Sequence, residues 1–223
     1  EGYEAEYRVR HRDGTWVWVW HRARAMRDGG GRLVRVVGAI LDEPAPAVSN
    51  ASLYYRPGGG EPQRYVKQHP VPFAEYVPYR DFFRNFSDKV DLVRVGFAKG
   101  DRNAAFTVPG RDGDFSAVPT ICFEVAYDDL VRAEVTQGAN LLLVQTNNAT
   151  FGYSDMTYQQ QGMSRLRAIE HDRAVVIAAT SGQSAVVAPD GSLVARTGAL
   201  FTPGVLVEAV PLRTTTTLAT RLG

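Results

Sequence analysis

The 223-residue sequence contains a single cysteine, Cys122. It closes the apolar run Val118-Pro119-Thr120-Ile121, and Glu124 follows two residues later. A thiol has an ordinary pKa of about 8.5, so a cysteine that attacks a carbonyl needs a neighbouring base or cation to become a thiolate. Lys67, directly after Tyr65-Val66, offers an ammonium, and Glu75 and Glu124 offer carboxylates. A tetrahedral oxyanion would be met by that ammonium and by the backbone N–H after the nucleophile. Each residue also has a plainer explanation. A cysteine ending an apolar strand is commonly an inert core residue, and a lysine after a strand is commonly solvated. Glu75 lies in the proline-bracketed stretch Pro72-Phe73-Ala74-Glu75-Tyr76-Val77-Pro78, where a charge costs little.

The elements that must position these residues follow from periodicity. Residues 117–123 read as a strand ending at the reactive position, 129–137 as a helix stopped by Gly138, and 141–146 as a buried strand. Residues 158–171 read as a helix, 174–180 as another buried strand, and 184–188 and 193–196 as a hairpin around Asp190-Gly191. Upstream, 53–55 and 65–66 flank Pro57-Gly58-Gly59-Gly60 as a hairpin. Alternating strands and helices predict an α/β layer protein with a mostly buried sheet. Residues 1–43 differ. They read as three strands of an antiparallel meander, turning at Asp13-Gly14 and at Asp28-Gly29-Gly30-Gly31. Glu43-Pro44-Ala45-Pro46-Ala47 then interrupts both periodicities. The expected organisation is a meander over 1–43, a linker over 44–49 and the α/β part over 50–223.

Composition narrows the function classes. With 44% hydrophobic and 22% charged residues the chain is neither disordered nor a coiled coil, and Lys+Arg 25 against Asp+Glu 24 gives no field that would attract nucleic acid. The longest apolar runs, 141–144 and 174–179, fall short of the roughly 18–20 residues of a spanning helix. The chain opens on Glu1-Gly2-Tyr3-Glu4 without an initiator Met or a signal peptide, so it is expected to be a piece of a longer polypeptide. The histidines at 11, 21, 69 and 171 show no ligand spacing with Cys122, and neither a metal nor another cofactor is expected.

Several ordered motifs carry a resemblance. The string Tyr65-Val66-Lys67-Gln68-His69-Pro70-Val71-Pro72-Phe73-Ala74-Glu75-Tyr76-Val77-Pro78, then Ile121-Cys122-Phe123-Glu124, then Thr146-Asn147-Asn148-Ala149-Thr150-Phe151-Gly152 is similar to the nitrilase superfamily and, within it, to the apolipoprotein N-acyltransferase branch. Residues 159–173 and Ala179-Thr180-Ser181-Gly182-Gln183-Ser184-Ala185 follow the same order, and the resemblance covers about residues 50–223. It implies a partial αββα sandwich, preceded here by the meander, and a Glu-Lys-Cys triad. Lys67 matches the triad lysine, Cys122 the nucleophile, Glu75 the glutamate of the branch's proline-rich loop, and Glu124 the glutamate two residues past the cysteine. Phe123, Asn147 and Phe151 are expected to support the site or contact substrate. The implied reaction moves an acyl chain from a phospholipid through a cysteine thioester to the amine of a diacylglyceryl-lipoprotein, on the outer face of a bacterial cytoplasmic membrane.

The departures are specific. The triad's base glutamate belongs on an early strand upstream of the lysine, and neither Glu43 nor Glu61 sits in that context; the family's membrane helices are absent too. Activity of this chain alone is therefore expected to be impaired. Ala74, Phe123 and Gln161 stand where Gly, Tyr and His are usual. A sandwich lacking its first strands exposes a sheet edge, which predicts self-association. Residues 1–43 resemble the C-terminal half of a PAS sensor domain through Arg10, Asp13-Gly14, Trp18, Arg27-Asp28, Gly31, Val37-Gly38 and Asp42. Two other readings stay open: a soluble nitrilase-superfamily amidase, and a PAS-type sensor or interaction module in which Cys122 is dispensable.

Overall fold

The computed structural model describes residues 2–10, 16–27, 33–42, 47–56, 59–86, 96–102, 105–110 and 113–223. The turns at 13–14 and 28–31, the break at 43–46 and the Pro57-Gly58 part of the hairpin turn lie outside these residues. The chain divides into two compact units, Glu1–Asp101 and Arg102–Gly223.

In the first unit, β1 (Gly2–Arg10), β2 (Trp16–Arg27) and β3 (Leu33–Asp42) form the antiparallel meander, in the order β1-β2-β3. Its register sets Tyr7 opposite Val19 and Trp20 opposite Leu41. β4 (Ala47–Ser49) pairs in parallel with β7 (Gly96–Ala98), and β5 (Ala51–Tyr54) pairs antiparallel with β6 (Gln63–Val66). The residue after β6 is Lys67. Its N–H donates to Asn50 O (2.8 Å) and its carbonyl accepts from Gly100 N (2.7 Å), so its backbone is pinned from two sides. Position 100 must be glycine for this approach, because a Cβ there would collide with the Val66 carbonyl. A short helix, α1 (Arg80–Arg84), has no counterpart in the sequence reading.

The second unit is built on a six-stranded sheet. β8 (Phe106–Gly110), β9 (Gly113–Ile121), β10 (Leu141–Thr146), β11 (Ala174–Ala179), β12 (Ala185–Val187) and β13 (Leu193–Arg196) run in the order β13-β12-β11-β10-β9-β8. β9, β10 and β11 are parallel, and the outer pairs are antiparallel. The helices that connect the parallel strands are α2 (Asp128–Thr136) and α3 (Met156–His171). Alternation then sorts the strands' side chains. Val118, Leu142, Val144, Val175 and Ile177 pack with Val131 and Val135 of α2 and Ala168 of α3. Ala117, Leu141 and Ala174 lie on the other face with Leu143, Val176 and Val210. Burial on both faces is what near-continuous apolar runs encode.

Two prolines fit this topology. Pro109 sits on the edge strand β8, and Pro119 lies beyond Ala117, the residue of β9 that pairs with Phe106 at the start of β8. A missing N–H is tolerated where no ladder bond is needed. One expectation is corrected here. The strand stops at Ile121 rather than running through Phe123, because Cys122 takes a left-handed conformation (φ 58°) and opens a 3₁₀ turn, Cys122–Ala126. A left-handed residue cannot continue a β ladder.

Candidate active site

In the first unit, the Lys67 side chain is 1% exposed, and its ammonium meets Glu75 Oε2 at 2.6 Å. Glu75 reaches it through a tight turn. Glu75 N donates to Val71 O (2.8 Å), Phe73 N donates to Tyr76 O (2.7 Å), and Val71 N donates to Glu75 Oε2 (2.7 Å). Asn50 Nδ2 donates to the carboxylate's other oxygen at 3.2 Å. The structure thus joins two of the residues singled out from sequence into one ion pair. The same turn forces Phe73 into left-handed backbone (φ 62°) and leaves its ring exposed. That ring meets Phe83 edge-on (5.2 Å between centroids), Phe83 meets Phe82 (5.3 Å), and Phe82 meets Phe86 (5.1 Å). Phe82 is 59% exposed and Phe86 73%. Arg80 and Arg84 belong to the same helix.

In the second unit, Cys122 stands at the C-terminal end of the parallel strand β9, where α/β sheets place reactive groups. Holding a non-glycine residue at φ 58° costs about 1–2 kcal/mol. Such strain persists only where surrounding structure imposes it. Glu124 does part of this. It is fully buried, and its Oε2 accepts from Ile121 N (2.8 Å), tying the turn back to the residue before the cysteine. Phe123 is exposed and packs edge-on against Tyr127.

The 147–152 loop divides between inside and outside. Asn147 is exposed, its Oδ1 accepting from Ala149 N (3.1 Å) and Ser181 Oγ (2.9 Å), and Phe151 is half-buried in the turn Ala149–Phe151. The inward residue is Asn148, which sequence reasoning passed over. It joins Thr146, Thr157 and Gln160 in a buried polar network, and Gln160 Nε2 donates to Cys122 Sγ at 3.5 Å. Gln161, the residue noted from sequence, donates instead to Gln183 Oε1 (3.4 Å). The signal that would have separated the two is helical phase: positions 157, 160, 164, 167, 168 and 171 form the buried face of α3, and 161 flanks it.

Further along that face, Asp128, Glu170 and His171 bring one potential metal-ligand atom each within 4.8 Å of one another. The cation among them is the protein's own. The Arg167 guanidinium pairs with Asp128 and lies 2.6 Å from Glu170 Oε2. His171 is fully buried, with Nδ1 3.0 Å from Thr220 Oγ1 in α4 (Leu218–Leu222) and Nε2 3.3 Å from Asp128 Oδ1. Burial pushes its pKa below the ordinary histidine value, with Asp128 opposing the shift and Arg167 and Arg173 adding to it. Burial raises Glu170, against the pull of Arg167.

The profile of the Carbon-nitrogen hydrolase family matches residues 33–220. The chain belongs to that family. A PAS-fold profile matches residues 1–40, overlapping it over the first part of β3. Apolipoprotein N-acyltransferase of Mycolicibacterium smegmatis is 39% identical over 199 residues, covering 86% of this chain and 31% of that protein. Apolipoprotein N-acyltransferase 1 of Treponema pallidum is 41% identical over 172 residues, covering 74% and 30%. The chain spans about three-tenths of the length of these relatives. Among solved structures, a carbon-nitrogen hydrolase from Helicobacter pylori aligns with a TM-score of 0.51 at 14% identity, covering 71% of this chain and 56% of that one. This is likeness of fold, and it agrees with the nitrilase-like α/β layer fold expected from the sequence.

Proposed function

We propose that this chain is the catalytic portion of an apolipoprotein N-acyltransferase. Cys122 is the nucleophile, Lys67 supplies the ammonium for developing negative charge, and Glu75 orients that ammonium. The reaction balances in two steps. Cys122 Sγ bonds to the ester carbonyl carbon of a phospholipid, the ester C–O bond breaks, and the thiol proton leaves with the lysophospholipid alkoxide. The amine of a diacylglyceryl-lipoprotein then attacks the thioester, the C–S bond breaks, and the amine's proton returns to sulfur. An ammonium held at 2.6 Å by a carboxylate is a preorganised charge that need not reorient as the oxyanion forms.

One observation favours a lipid substrate over the small carbon–nitrogen substrate of an amidase. The loop that carries Glu75 inward displays Phe73 outward, and α1 and the residues just after it display Phe82 and Phe86, with Arg80 and Arg84 in the same stretch. Exposed aromatics beside arginines suit the boundary between acyl chains and phosphate headgroups. The relatives at 39% and 41% identity, both named apolipoprotein N-acyltransferases, support the same choice; a place at the outer face of the cytoplasmic membrane belongs to this reading. Among the described residues no helix is long and apolar enough to cross a membrane.

The test is intact-protein mass spectrometry after incubation with phospholipid in detergent, for the native chain, Cys122→Ala and Lys67→Ala. With no residue matching the triad's base glutamate, an acyl-sized, hydroxylamine-labile adduct is expected to form slowly on the native chain and not at all on the two variants. Its absence from folded native protein, with turnover of a small amide instead, would replace this reading with the amidase.

A further inference from the structure

The sulfur of Cys122 has a neutral partner whose orientation is set by residues that are not themselves bonded to it. Gln160 Nε2 lies 3.5 Å from Sγ, while Gln160 Oε1 faces Asn148 Nδ2 at 3.0 Å and Thr146 Oγ1 at 3.1 Å. Asn148 Oδ1 accepts from Thr146 Oγ1 at 2.5 Å, and Asn148 Nδ2 also donates to Thr157 Oγ1 at 3.3 Å. All four side chains are buried, so their hydrogen bonds must close among themselves. The donor inventory allows little freedom. Thr146 has one O–H, directed at the nearer acceptor, Asn148 Oδ1. Asn148 has two N–H groups, one for Thr157 and one for the Gln160 carbonyl. Turning the Gln160 amide by itself would set two NH₂ groups against each other. Gly182 seals the arrangement, because a Cβ there would come within 3.0 Å of Asn148 Cγ.

We infer that Gln160 is a positioning residue for the Cys122 sulfur: a neutral N–H donor that favours the thiolate over the thiol, locked in that role by Asn148 and Thr146. A hydrogen bond to the charged form of a group stabilises that form. A thioester sulfur is a poor acceptor, so the bond is strongest in the states where sulfur attacks or leaves, which is differential stabilisation of the kind that accelerates a step. The inference deepens the acyl-transfer reading and rests on Cys122 being the nucleophile.

The test needs no lipid. Cys122 is the chain's only cysteine, so alkylation by iodoacetamide followed by intact mass reads this one thiol. The alkylation rate against pH is compared for the native chain, Gln160→Leu, Gln160→Glu, Gln160→His and Asn148→Asp. Removing the donor in Gln160→Leu is expected to raise the half-maximal pH by about one unit, or about tenfold slower alkylation at a pH below the midpoint. Gln160→Glu, which sets a carboxylate against the sulfur, raises it further, and Gln160→His, which restores an N–H, recovers most of the loss. Asn148→Asp gives Gln160 an acceptor-only neighbour, turns its NH₂ away from sulfur and raises the midpoint without touching Gln160. Superimposable profiles for folded Gln160→Leu and Asn148→Asp would overturn the inference, and if one fails to fold the other decides. A native chain that forms no acyl adduct while the variants still shift the profile removes the acyl-transfer reading and leaves the donor role standing. An adduct with unshifted profiles does the reverse.

Discussion

The Lys67–Glu75 pair makes a stability prediction whose asymmetry is its content. Lys67 is 1% exposed and Glu75 16%. Glu75 has other partners, Asn50 Nδ2 at 3.2 Å and Val71 N at 2.7 Å, whereas Glu75 is the carboxylate that faces the ammonium. Glu75→Gln leaves a buried ammonium without its counter-charge, which costs about 3–5 kcal/mol. Lys67→Met removes one charge-assisted bond from a carboxylate that keeps its amide partners and some water, at a cost of about 1.5–3 kcal/mol. The double variant removes both charges and leaves an apolar side chain in the buried position, so it is expected to be more stable than Glu75→Gln alone. The coupling should be about 2 kcal/mol or more, well above the ~0.5 kcal/mol within which independent sites add. Urea unfolding followed by circular dichroism measures all four proteins, with the midpoint shift multiplied by a slope of about 1–3 kcal/mol per molar. If Lys67→Met proves the more damaging single change, or if the two effects simply add, the ammonium has another way to be solvated and the reasoning fails.

Three further outcomes are expected. Cys122→Gly removes the left-handed penalty of about 1–2 kcal/mol at φ 58° but adds unfolded-state entropy worth about 0.5–1, so it should be more stable than Cys122→Ala by up to about 1.5 kcal/mol in urea; clearly lower stability would show that the turn is unstrained. His171 has a folded pKa below its unfolded value of about 6.5, so its contribution is complete above that pH and is lost as pH falls from there through the folded value; His171→Asn should flatten the fall in melting temperature across that window, while Glu170, raised by burial, contributes in the opposite sense above its own ordinary value. Phe82→Ser with Phe86→Ser should weaken co-sedimentation with phosphatidylglycerol-containing vesicles at least tenfold, since each exposed ring can bury about 1.5–3 kcal/mol of apolar surface, and unchanged binding by the folded variant would exclude the lobe from the lipid contact.

What could be read from sequence divides along physical lines. Leu141–Thr146 and Ala174–Ala179 were legible because strands buried on both faces are mostly apolar along their length. The three strands of the meander were legible from alternation and turn residues. The end of β9 was not, since a cysteine carries no preference for left-handed backbone and the turn is imposed by tertiary contacts such as Glu124 to Ile121 N. α1 escaped because its five residues bury no side chain and so show no amphipathic pattern. At the site, Lys67, Glu75 and Cys122 stand out by side-chain chemistry and by the order of the motifs that carry them. Asn148 and Gln160 are amides whose value lies in pairing with each other across the space between β10 and α3, a relation no local pattern records.

The turn at residues 71–76 joins two functions that the sequence shows only as neighbours. Glu75 and Phe73 are two residues apart, yet one is drawn inward to the ammonium and the other displays its ring to the outside. They share one set of backbone bonds, Phe73 N to Tyr76 O and Glu75 N to Val71 O, and Phe73 is held at φ 62° within it. A strained turn of this kind has few ways to move one residue without moving the next. In the lipid contact proposed above, seating the aromatic lobe in an acyl layer would act on the same backbone that aims Glu75, and through a 2.6 Å ion pair on Lys67. The lobe's contribution should accordingly appear in two measurements at once. Replacing Phe73 ought to weaken vesicle binding and also lower the unfolding midpoint in the direction of Glu75→Gln, whereas replacing Phe86, which lies beyond α1, ought to weaken binding alone. Equal effects on stability from both positions would mean that the lobe and the ion pair are merely adjacent.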